Sequence, residues 1–103
     1  MTAAGGHIGA DAGRLVARGE IHAADMAWIH ERAMAAAWPG GQTVVLDLSQ
    51  VTGWSSVAQA MIVALARDLA EQRSRLVLSG ASLGLRRQSQ ELDLFRKVRA
   101  ICE

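Results

Sequence analysis

Three short apolar runs, "RLVARGEI" from Arg14, "TVVLDLS" from Thr43 and "RLVLSG" from Arg75, are separated by long segments whose apolar residues recur at helical spacing. Segments of that length are too long for hairpin turns. They act instead as crossovers, which set successive strands parallel and pack a helix over the sheet. The alternation therefore predicts a small α/β fold, in the order strand, helix, strand, helix, strand, helix.

The runs differ in kind. In the first, Leu15 and Ala17 alternate with Val16 and Arg18, as in a strand near a sheet edge, and a turn is expected over 19–22. The second is nearly continuous through Val44, Val45, Leu46 and Leu48, which suits a central strand or one covered on both faces. Asp47 is then expected near the end of that strand, with "QVTGW" as a loop.

The segment "HAADMAWIHERAMAAAWPGG" reads as a helix on the spacing of Met26, Ile29, Ala33 and Ala36, ended by Pro39 and Gly40. A second helix opens at Ser55 or Ser56 and runs to about Gln72, with a stripe of Ala58, Ile62, Leu65 and Leu69. "SLGLRRQSQEL" predicts a short amphipathic helix opening at Ser82, and "KVRAI" a last strand or a terminal extension.

A chain of 103 residues is long enough to bury one core, so one domain is expected from residue 14 to 103. Residues 1–13, rich in Gly and Ala, are expected to be flexible or to supply an edge strand from Ile8. The formal net charge of +1 gives no field suited to nucleic acid. Cys102 is the single cysteine, which excludes an internal disulfide. The N-terminus lacks the pattern of a signal peptide, and no apolar run is long enough to span a bilayer. These features predict a soluble, cytoplasmic chain without direct membrane insertion.

Few residues offer chemistry. "GGQT" leads into a strand, whereas a phosphate-binding loop leads from a strand into a helix. His7, His22 and His30 have no metal-ligand spacing with carboxylates or with Cys102, so neither a metal nor a cofactor is expected. "GWSSVA" lacks the nucleophile elbow of a serine hydrolase and no histidine follows it, so no catalytic residue and no enzyme activity are expected. Trp28 and Trp38 diverge by about 80° around a helix axis and read as partly buried packing residues. Trp54 reads as a contact anchor or a core plug. Arg86, Arg87, Arg96, Lys97 and Arg99, interleaved with Glu91 and Asp93, read as a solvated face or as a surface for acidic lipid or protein. Asp47 orients a loop or belongs to a functional acidic cluster. The serine pair has two readings as well. A hydroxyl at a helix start caps an unpaired N–H, and the same geometry favours a phosphate.

"RGEI" followed by a helix, and then "VVLDLSQVTGWSSVAQAMIVALARDLAEQRSRLVLSG", resembles a STAS domain, the sulfate-transporter and anti-sigma-factor-antagonist family, over Arg14 to Ile101. The resemblance implies a small mixed sheet of about four to five strands with helices covering one side. In the antagonists the corresponding loop is similar to V-T-x-x-D-S-S-G, and the serine after the Asp is phosphorylated by a kinase that is also the anti-sigma factor. Ser55 stands at the Asp of that motif, Ser56 at the acceptor, Val57 at the second serine and Ala58 at the glycine. His22 replaces the Asp of the family's G-E-L-D turn, while Asp47 matches the acid of its D-L-S strand.

"VTG", the alanine in place of glycine, and "LVLSGAS" followed by "LRRQ" also look like the cytoplasmic STAS domains of bacterial sulfate-permease-type anion transporters. The resemblance thus implies a non-enzymatic regulatory module. Its partner would be an anti-sigma factor or kinase, or the membrane domain of a transporter. The expected partner-binding residues are Trp54, Ser55, Ser56 and Gln59, with Ser56 the candidate phospho-acceptor, a poorer kinase substrate than a serine following Asp, and Asp47 an acidic position near the site. The alternative is a small nucleotide- or anion-binding sensor that uses the helix start at Ser56.

Overall fold

A computed structural model of the chain describes residues 9–11 and 13–102. The elements are β1 (Gly9–Asp11), β2 (Arg14–Ile21), α1 (Ala23–Ala37), β3 (Thr43–Trp54), α2 (Ser56–Glu71), β4 (Arg75–Ser79), α3 (Leu83–Gln88) and α4 (Leu94–Cys102). The expectation that a strand begins at Ile8 lies outside the described residues. The sheet order is β1-β2-β3-β4, with β1 antiparallel to β2 and the other two pairings parallel.

This order explains why the sheet is covered on one face. Both crossovers, through α1 and α2, step in the same direction across the sheet, and a connection of constant hand then lays each helix on the same side. Leu15, Ala17, Val44, Leu46, Leu48 and Leu76 point to that side and are buried. From the helices, Met26, Ile29 and Ala33 of α1 and Ile62, Leu65 and Leu69 of α2 meet them. Val16, Val45 and Val77, on the other face, are only half-buried.

Four expectations need correction. β3 does not stop at Ser49 but continues through "QVTGW" to Trp54, because pairing with β2 resumes beyond two irregularities in register, between Val16 and Arg18 and between Gly19 and Glu20. β2 likewise runs to Ile21 where a turn is expected, with Gly19 at φ 79° beside the second irregularity. "KVRAI" is neither strand nor extension but part of α4, which buries Leu94 and Val98, four residues apart, against the core. Trp28 packs against the core as expected, whereas Trp38 lies beyond the end of α1 and is 76% exposed.

Candidate functional site at the start of α2

Parallel strands joined by crossovers bring their C-terminal ends, and the N-termini of the helices that follow, to one end of the sheet. Here β2 and β3 end side by side, tied by a 3.1 Å hydrogen bond from the Ser55 N–H to the Ile21 carbonyl. His22 and Ser55 consequently stand at the N-caps of neighbouring helices. The Ser55 Oγ accepts from the Ala58 N–H at 3.1 Å, so it caps α2. Ser56 is the first residue of the helix and is exposed. No acidic side chain occupies the first turn, which leaves the positive end of the helix uncompensated at Ser56.

Two residues expected to face a partner are interior. Trp54 is 7% exposed and packs on Phe95 of α4 with ring centroids 6.0 Å apart. Its Nε1–H donates to the Ser89 Oγ at 3.0 Å, and that hydroxyl donates in turn to the Leu85 carbonyl at 2.8 Å. Of the two sequence readings, the structure supports the core plug. Gln59 is 4% exposed; its Nε2 donates to the Gln88 carbonyl at 3.5 Å and its Oε1 is buried without a partner. Gln88 and Ser89, which fasten the end of β3, carry no motif that marks them in the sequence.

The surface that remains on this part of α2 is apolar. Val57 is 57% exposed and Met61 37% exposed, and Ala60 and Ala64 lie open on the same helix. Beside them Met26, Ala27 and His30 of α1 line, with Met61 and Ala64, a shallow depression of about 200 Å³. The signal for this surface is in the sequence: no charged residue occurs from Ser56 to Ala66. A stretch uncharged all round is more than one buried face requires.

Asp47 is not brought to the serines. It lies on the face of β3 away from the helices, seven residues or roughly 20 Å along the strand from Trp54. There its Oδ1 accepts from the Ser49 N–H at 2.9 Å and its Oδ2 from Arg14 at 2.5 Å. The Ser49 hydroxyl and backbone N–H, and then Arg14, hold its carboxyl below the usual carboxylate range, against the opposing effect of burial. Its role in this structure is to hold the β3 backbone at the first irregularity.

His30 pairs with Asp68 at 2.8 Å, linking α1 to α2, and His7 lies outside the described residues. Among the described residues no group of three His, Cys, Asp or Glu side chains could hold a metal ion, and no helix is long and apolar enough to cross a membrane.

The family model for the Mlab, STAS domain matches residues 7–99. The chain belongs to the STAS family. Its fold matches that of the anti-sigma factor antagonist SpoIIAA in its unphosphorylated form with a TM-score of 0.60 at 18% identity, over 82% of this chain and 81% of that one. It also matches part of Mglu, with a TM-score of 0.58 at 19% identity over 74% of this chain, and spans 19% of the Mglu structure. No curated protein sequence matches it. The STAS fold expected from the sequence, a small mixed sheet with helices on one side, is the fold observed, with four strands.

Proposed function

We propose that this STAS domain is a non-enzymatic regulatory module of the anti-sigma-factor-antagonist type, which binds a protein partner through the start and outer face of α2. The observation that carries the reading is the exposed, uncharged strip of Ser56, Val57, Ala60, Met61 and Ala64, continuous with an uncompensated helix N-terminus. An apolar strip ending at an anion-friendly point suits a partner that buries the strip and senses charge at Ser56. The correspondence in fold and length with SpoIIAA adds support.

Ser56 is the acceptor position if the module is switched, since a phosphate there is close to the helix N-terminus and its free N–H groups. Ser55, occupied as the cap, is the poorer candidate. A role as the cytoplasmic domain of an anion transporter rests on the motif resemblance alone, and a nucleotide sensor has no phosphate cradle to support it.

The test uses the partner retained by the immobilised wild-type domain, purified and titrated by calorimetry. Ser56→Asp and Met61→Glu are expected to weaken binding about tenfold or more, since each places charge against a surface that is buried in the complex. Unchanged affinity in both variants would exclude the α2 surface.

A further inference from the structure

β4 forms the edge of the sheet opposite β1, and a groove of about 190 Å³ lies along it, between the strand, α3 and α4. Three arginines from three elements line this groove: Arg75 of β4, Arg86 of α3 and Arg99 of α4. Among the described residues, none of the three forms an ion pair and no carboxylate lines the groove with them. Three cations around one groove make its potential positive, which suits an anionic occupant.

The floor of the groove says what kind of occupant. Successive residues of a strand direct their N–H and C=O groups to opposite sides. The Arg75 N–H bonds inward, to the Gln42 carbonyl at 2.9 Å, so Leu76 and Leu78 turn theirs outward to the groove. The Leu76 N–H is taken by the Cys102 Sγ at 3.2 Å, at the end of α4. Among the described residues no side chain or loop takes the Leu78 N–H or C=O, which face outward at the edge. Beside it, the Arg86 guanidinium lies 4.6 Å above the Phe95 ring, a flat wall against which an extended chain can lie.

We propose that this groove takes an extended, acidic segment of a protein partner, which pairs its backbone with β4 at Leu78 and sets its carboxylates against Arg75, Arg86 and Arg99. The outward backbone groups of Leu78 are satisfied by another backbone, and the cations, spread over three elements with apolar Leu76, Leu78 and Val98 between them, match a segment that mixes acidic and apolar side chains. The groove shares no residue with the α2 surface, so this proposal stands or falls separately from the reading of Ser56.

The test titrates the full chain into a fluorescein-labelled eight-residue peptide alternating Glu and Val, with a Lys–Val peptide and a Glu–Pro peptide as controls. The Glu–Val peptide is expected to bind saturably and more weakly at higher salt, and the controls not to bind. Arg75 and Arg99 are both exposed, so the Arg75→Glu/Arg99→Glu variant keeps its fold by circular dichroism and loses about tenfold or more in affinity. Amide exchange at Leu78 slows in the complex. Absence of binding, equal binding of the Lys–Val peptide, an unchanged affinity on charge reversal, or an unchanged Leu78 amide would overturn the proposal. Equal binding of the Glu–Pro peptide, or full displacement by inorganic phosphate, would overturn it in favour of a small-anion site.

Discussion

The Trp54 indole N–H donates to the Ser89 hydroxyl at 3.0 Å, and this buried bond joins the last residue of β3 to the segment after α3. Ser89 uses its hydroxyl both ways, accepting from Trp54 and donating to the Leu85 carbonyl. Ser89→Ala therefore leaves the indole N–H buried without a partner, at a cost of about 1–3 kcal/mol. Trp54→Phe in the same background removes the orphaned donor, so the double variant is expected to lose less than the sum of the two single changes. Urea midpoints of the four proteins measure this coupling.

Asp47 gives the chain an acid-sensitive element. Its folded-state pKa is lowered from 3.8 by Ser49 and then Arg14. The unfolded chain then takes up the proton first as pH falls. The stabilisation is fully present above the unfolded value and is lost as pH drops through the folded one. Asp47→Asn is expected to be less stable than wild type at pH about 7, and the gap between them to narrow as pH falls below about 4. A gap independent of pH would mean that the carboxylate charge contributes nothing.

Gly80 closes over the same carboxylate. At φ 77°, a Cβ added there would meet the Ser49 Cβ at 3.1 Å and the Asp47 Oδ1 at 3.3 Å. Gly41 has a similar φ of 73° but nothing within 4 Å. Gly41→Ala thus carries only the conformational cost, about 1–2 kcal/mol, while Gly80→Ala carries that cost and the displacement of Ser49 as well. Thermal melts are expected to rank Gly80→Ala as the less stable of the two.

How far these features can be read from the sequence depends on whether a local period survives. Leu15 and Ala17, and the α2 stripe of Ala58, Ile62, Leu65 and Leu69, follow their periods and are buried as expected. Beyond Leu48 the period of two fails, because Ser49 and Gln50 are both exposed before Val51 returns to the core in the opposite phase. A register irregularity in β3 thus looks like a loop, and with it Trp54 looks exposed. "KVRAI" fails for the converse reason. Its first four residues alternate by chance, and only the longer spacing from Leu94 to Val98 reveals the helix. Ser55 and Ser82 were legible as caps because capping chemistry is local. The Gln88 and Ser89 contacts were not, because they join residues more than thirty positions apart.

The two serines at the start of α2 separate into a structural and a functional residue, and stability measurements distinguish them without any partner. Ser55→Ala removes the acceptor for the Ala58 N–H and is expected to cost about 1 kcal/mol. Ser56→Ala removes an exposed hydroxyl at the first helical position, with an expected change within about 0.5 kcal/mol. Ser56→Glu places a negative charge at an N-terminus whose first turn holds no acid, and is expected to stabilise by about 0.3–1 kcal/mol, less at high salt. A phosphate at Ser56 would be tolerated for the same reason, so a charge there can alter partner binding while the fold stays intact. If Ser56→Glu instead unfolds the domain, any effect of that charge on binding is a loss of structure, and Ser56 is no switch.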